Sequence, residues 1–446
     1  MLFNLSIGRS AALAIALTSS IASAFPDPNY TGPESVQGFK NLYPYQHPPA
    51  NHRPKIYIRS SDNDTDDISA DFYRGLLKAN HGGTLVLPKN KTFVIGKKLD
   101  LTFLKDVHVN LEGTILFTDN ITYWQSDYFY HLFQNSIAFW KWGGEDIKIY
   151  GEGILDGNGQ AWYDGFAGME ILDPDNTYYR PILFYAENAT NLYIEGIQFQ
   201  GSPCWTNFIV TSKNVVYDRV IIENLSTSEN PPKNTDGWDS YNVDGLTVRD
   251  AWINIGDDCF SPKPNTSNIL VENIYCNGTH GVSMGSIGQY SGVKDHIYNV
   301  HIENITMLNG EYGARLKSWA GQNVGYGFID NVTFKNVYNY NNDVPIMLDA
   351  CYFEVNSTMC SQYPSRVDMT NIRFSNFTGS SSGINGPVIA NLVCSPNAIC
   401  TNITLEDINL THPNGSSPVI ICEGIAGGVG VPCVSDGSIP AVLDLD

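Results

Sequence analysis

Four short polar motifs stand out in a chain otherwise sparing with charge: Asn234-Thr-Asp236, Gly256-Asp-Asp258, Thr279-His-Gly281 and Arg315-Leu-Lys317. Asp236 precedes Asp257 by 21 residues, and Asp258 precedes His280 by 22. If the chain coils with that period, three carboxylates and an imidazole gather on one face within roughly 5 to 10 Å. Carboxylates crowded at this range repel one another. At least one is therefore pushed to a raised pKa and can give up a proton as a general acid, while a neighbour stays ionised as a base. Arg315 and Lys317 alternate along a strand and share a face, where they suit the carboxylate of a ligand; Arg can hold it through two parallel hydrogen bonds. Asp-Gly and Asn-Thr-Asp are also ordinary turn formers. It is the common phase of the four motifs, more than any one of them, that points to acid–base chemistry.

A repeat supplies the elements that would hold these motifs in phase. Asn or Gly, then apolar, any, apolar, two mostly polar residues and apolar recurs from Asn191, Asn214, Gly245, Asn268, Asn299, Asn331, Asn371 and Asn402, as in Asn299-Val-His-Ile-Glu-Asn-Ile305. The steps are 23, 31, 23, 31, 32, 40 and 31 residues, which suits coils of about 22 residues with loop insertions of different length. Such coils bury their alternating apolar residues only by stacking, which predicts an all-β, single-domain right-handed parallel β-helix over residues 25–446. Residues 67–80 carry Ile68, Phe72, Leu76 and Ala79 at helical spacing and are expected to form a short helix over the open edge of the first coil. Residues 25–60 are expected to be an extended arm, and residues 422–446 a C-terminal cap.

Composition agrees with stacking. Charged residues are 16% of the 446, well under the roughly 25% of an average soluble domain, and a column of like charges one strand spacing apart would repel. The net charge of -20 argues against nucleic acid as a partner. Residues 1–24 read as a secretory signal, with Arg9, an apolar stretch over 11–17 and the small-residue site Ala22-Ser23-Ala24; it is too short to anchor in a membrane. About fifteen Asn-x-Ser/Thr sequons downstream fit export, and nine cysteines in an oxidising compartment imply disulfides. Proximity suggests Cys259 with Cys276, Cys351 with Cys360, Cys394 with Cys400 and Cys422 with Cys433, leaving Cys204 as a buried thiol.

The ordered set of four motifs resembles that of glycoside hydrolase family 28, the polygalacturonases and their pectin-degrading relatives. Gly278-Thr-His-Gly-Val-Ser-Met-Gly-Ser-Ile-Gly-Gln-Tyr290, Ser261-Pro-Lys-Pro-Asn265 and Ser202-Pro-Cys-Trp-Thr-Asn207 are similar to the secreted fungal exo-acting members. Thr279 and Leu316 depart conservatively from the common motif. The resemblance implies hydrolysis of terminal α-1,4-linked galacturonate from pectin with inversion. It implies Asp257 as general acid, Asp236 and Asp258 as the base that activates water, His280 in support, and Arg315, Lys317 and Tyr352 as substrate contacts. Inverting hydrolases usually set their two carboxyl functions about 6.5 to 9.5 Å apart, compatible with one or two coil steps. No cofactor or metal is expected, and the chain is expected to be monomeric.

Several alternatives stay open on sequence. They are endo cleavage, attack on rhamnogalacturonan or xylogalacturonan, a pectate lyase on the same fold, and a non-catalytic polysaccharide-binding β-helix. Exo action would need loops closing one end of a cleft, and residues 158–182 together with the longer inter-coil segments are the candidates for it.

Overall fold

Parallel strands pair coil on coil throughout the computed structural model, which describes residues 32–49, 52–169, 176–353 and 357–435. One sheet system of 24 strands runs through them, and each strand pairs with its counterpart in the next turn of the chain. A single inward column shows the logic: Leu192, Val215, Leu246, Ile269, Val300, Val332, Ile372 and Ile403 are consecutive register partners, none more than 3% exposed. Each buried aliphatic contributes about 1.5 to 3 kcal/mol relative to exposure, so the coils are held as a stack and not individually.

The Asn that opens most copies of the repeat has a structural reason. Asn191, Asn214, Asn268, Asn299, Asn331, Asn371 and Asn402 all adopt left-handed φ between 52° and 58°, a conformation Asn tolerates better than other side-chain-bearing residues. The chain bends there. The amides of these residues stack along the axis, Asn214 donating to Asn191 Oδ1 at 3.1 Å, Asn331 to Asn299 at 3.3 Å and Asn402 to Asn371 at 2.7 Å. A second ladder at the later bend runs from Asn376 to Asn336 at 2.9 Å, Asn336 to Asn304 at 3.0 Å and Asn304 to Asn273 at 3.1 Å. A parallel ladder joins Asn254, Asn277, Asn309 and Asn341. Uncharged amides, each both donor and acceptor, can repeat in a column where charges could not.

The capping helix spans Ser69–Ala79 and buries Phe72, Leu76 and Ala79. Asp67 lies just outside it and accepts from the Ser69 backbone N–H at 2.8 Å. Gly75 permits the close seat on the first coil, since a Cβ there would meet Ile58 Cγ2 at 2.7 Å and Leu85 Cδ1 at 2.9 Å. The arm differs from the extended segment expected. Val36–Leu42 forms a helix capped by the Ser35 hydroxyl, and its Phe39 packs against Ile221 and Trp252. Lys55–Tyr57 then enters the sheet beside Thr84–Leu87. Apolar pockets on the outer wall drew the arm into local structure that composition alone did not indicate. The signal-like residues 1–24 and the last part of the cap, 436–446, lie outside the described residues; up to 435 the cap is tied by Cys422–Cys433. The other three disulfides pair as expected, and Cys204 is free but half-buried instead of fully buried.

Replacing Asn336 by Ala removes three side-chain hydrogen bonds, to Asn304, Glu303 and Asn376, at a left-handed φ of 56°. We expect a loss of about 2 kcal/mol in urea denaturation, with Asn336→Gly recovering part of it through the backbone.

Candidate active site

Asp236, Asp257–Asp258 and His280 occupy the turns that lead into three consecutive strands of one face, Trp238–Tyr241, Phe260–Pro262 and Val282–Ile287. Backbone bonds lock these turns together: Gly237 N–H donates to Asp258 O at 2.9 Å, Cys259 N–H to Gly281 O at 2.8 Å and His280 N–H to Asp257 O at 3.0 Å. The Cys259–Cys276 disulfide pins the middle turn to the strand Thr266–Asn277. Coil stacking thus gathers side chains 21 and 22 residues apart, as their spacing required.

One oxygen from each of Asp236, Asp257 and Asp258 lies within 4.8 Å of the others. They come this close because two of the residues are adjacent in sequence and the third is one strand spacing away. Three cations offset the repulsion. Lys263 Nζ is 2.9 Å from Asp239 Oδ1 and 3.5 Å from Asp236 Oδ2. Lys317 pairs with Asp258, whose other oxygen accepts from the Ser283 hydroxyl at 2.6 Å. His280 Nδ1 is 3.2 Å from Asp257 Oδ1, and its Nε2 is 3.4 Å from Glu311. Asp236 and Asp258 are buried, whereas the Asp257 side chain keeps 16% exposure and is the carboxylate open to the cleft.

These neighbours set the protons. Burial pushes the Asp236 carboxyl well above the ordinary carboxylate range, and Asp239 and Asp257 beside it push the same way. Asp239 rises to about 6 through burial, held back by Lys263. Burial would also raise Asp257, but the His280 imidazolium, Lys317 and the Asp258 N–H, which donates to it at 2.7 Å, hold it below the usual range. Burial alone would lower His280; Asp257 and Glu311 raise it to about 9. The raised carboxyl expected from crowding is therefore Asp236, and Asp257 is instead held ionised beside a protonated His280.

Arg315 and Lys317 do share the outward face of Tyr312–Trp319. They are not bare clamps, since Lys317 holds Asp258 and Arg315 holds Asp349. Arg315 Nε is buried with no hydrogen-bond partner among the described residues. Tyr352 lies over both cations, its ring centroid 4.8 Å from Lys317 Nζ and 5.3 Å from the Arg315 guanidinium. Sequence reasoning missed Arg180, Ser283, Glu311 and the pairing of Asp349. Arg180 donates to Asn234 Oδ1 at 2.7 Å, and Asn234 in turn donates to Asp257 Oδ2 at 3.3 Å. Glu311 and Asp349 sit beside motifs that were recognised, and their charge in a low-charge chain was the available signal.

The family model for glycosyl hydrolases family 28 matches residues 82–433. The chain belongs to that family. A curated relative named "Probable exopolygalacturonase B" from Aspergillus terreus is 58% identical over 429 residues, covering 95% of this chain and 99% of the relative. "Exopolygalacturonase B" of Aspergillus niger is 59% identical over 395 residues, 88% of this chain and 90% of that one. Among solved structures, the endo-xylogalacturonan hydrolase of Aspergillus tubingensis is similar with a TM-score of 0.77 and 29% identity, over 85% of this chain and 99% of that chain. This family 28 chain thus carries its carboxylate cluster on the parallel β-helix it shares with that structure.

A carboxyl whose pKa is raised in the fold favours folding below its unfolded value of 3.8, and that contribution is lost as pH rises through the folded value, about 6 for Asp239. Thermal melts should show Asp239→Asn with a flatter fall in Tm between about pH 4 and 7 than the wild type. An unchanged slope would assign the titration elsewhere.

Proposed function

We propose that this chain is an exo-acting, inverting hydrolase that removes terminal α-1,4-linked galacturonate from polygalacturonate. The observation that carries the reading is the Asp236–Asp257–Asp258 cluster with His280 behind Asp257, on a fold and in a family whose similar members are named exopolygalacturonases.

Asp257 is the proposed acid. The proton resides on the His280–Asp257 pair, so imidazole can return it to the carboxylate as the glycosidic oxygen approaches and takes it; His280 holds the proton and Asp257 delivers it. Asp236 and Asp258 are the proposed base pair. Lys317 and Ser283 fix Asp258, and the raised pKa of Asp236 makes it, once ionised, the more avid acceptor for a proton from water. Water attacks the anomeric carbon from the face opposite the leaving oxygen, the C–O bond breaks, and galacturonate leaves as the β-anomer. Arg315, with its unpartnered Nε, Lys317 and Tyr352 are the proposed contacts for the sugar carboxylate. The signal-like N-terminus and four disulfides support a secreted protein.

Wild-type enzyme on polygalacturonate should release monomer from the first minutes with slow viscosity loss, β-anomer first by proton NMR and no unsaturated product. Early mixed oligomers would sink exo action, and ultraviolet-absorbing product would favour a lyase. Asp257→Asn should lose at least about a hundredfold in kcat with Tm retained; full activity in that variant removes Asp257 as the acid.

A further inference from the structure

The face differs on the two sides of the aspartates in what lies against it. Toward later coils Ser283 and Arg315 are register partners, Arg315 is followed by Met347 and Lys317 by Asp349, and a cavity of about 380 Å³ lies there, lined in part by Met347, Asp349, Asn391 and Val393. Toward earlier coils the outward residues turn aromatic and are covered. The Thr206 N–H donates to Asp236 O at 2.8 Å, which places Trp205 one coil below the catalytic turn. Trp205, Phe208 and Tyr185 continue the face in that direction and are at most 7% exposed.

What covers them is a hairpin outside the coil stack. Phe129–His131 and Ser136–Ala138 pair antiparallel, and Pro181–Ile182 adds a third strand. The connecting loop places Phe133 among Trp205, Phe208 and Tyr241, with ring centroids 5.0 to 6.4 Å away. Its tip is clasped from the far side of the face: the Gln134 backbone N–H donates to Tyr290 Oη at 2.8 Å, and Gln134 Nε2 to Gln289 Oε1 at 3.1 Å. The hairpin therefore touches the coil before the Asp236 turn, Tyr241 just after that turn, and the chain just after the Val282–Ile287 strand. Lys263, which holds Asp236, has its Nζ 5.6 Å from the Trp205 ring, so the covered aromatics begin beside the aspartates.

We propose that the hairpin of residues 129–138, clasped by Gln289 and Tyr290, is the end wall that leaves room for one terminal sugar beyond the scissile bond. The polymer then extends only over Arg315 toward Asp349 and the cavity. This rests on the hydrolase reading above and assigns its exo character to the 129–138 hairpin, to which the 158–182 segment contributes the strand Pro181–Ile182. The wall is rigid by construction, because it is a paired sheet whose loop is packed and hydrogen-bonded on both sides.

The loop can be shortened in register, since His131 and Ser136 are Cα partners. Replacing residues 132–135 by an asparagine-glycine pair gives a two-residue turn on the same strands and removes Phe133 and Gln134. Products from polygalacturonate at low conversion should then include dimer and longer oligomers from the start, with discrimination between terminal and internal bonds relaxed by about tenfold or more. The double variant Gln134→Ala with Tyr290→Phe, which only loosens the clasp, should release some dimer. It decides the matter if the shortened chain fails to fold or to split digalacturonate. Monomer alone from variants that still split digalacturonate overturns the proposal while leaving exo action standing; mixed oligomers from the wild type overturn exo action itself.

Discussion

Register between coils is the constraint on which everything else in this molecule rests. In a parallel stack each side chain sits one strand spacing from its counterparts above and below, so whatever a position carries must tolerate repetition. Aliphatic residues do so inward and become the core. Asparagine does so at the bends, where it supplies the left-handed φ and passes a hydrogen bond along the axis. Carboxylates do not, and the three that are stacked anyway require Lys263, Lys317 and His280 around them.

That local exception changes the meaning of the net charge. A chain with a charge of -20 is an unexpected host for a polyanion, yet fields from surface charges fade beyond about 10 Å in salt while the cations at the cleft are buried and close. The same cations are shared between the enzyme's own carboxylates and the proposed sugar carboxylate. Tight ion pairs such as Lys317–Asp258 and Arg315–Asp349 keep the site preorganised.

How much of this was legible in sequence follows from how each contact is encoded. The repeat from Asn191 to Asn402 and the 21- and 22-residue spacings of Asp236, Asp257, Asp258 and His280 are periodic, so the fold and the heart of the site could be read directly. Lys263, just past the strand Phe260–Pro262, and Ser283 act across coils, and although both lie inside segments similar to those of the exo-acting members, nothing in spacing ties them to the aspartates. Arg180 reaches Asn234 from a segment whose path a period does not specify. The arm helix Val36–Leu42 is too short to show periodicity and forms because Phe39 finds Ile221 and Trp252.

Successive copies of the repeat are 23 to 40 residues apart, yet the inward column from Leu192 to Ile403 keeps its partners throughout. Extra length is therefore accommodated mainly at the corners, with single-residue register shifts at a few points along the strands. Divergence can lengthen, exchange or delete a corner segment without displacing an aspartate, so the chemistry of bond cleavage and the choice of which bond is cleaved are inherited on separate parts of the chain.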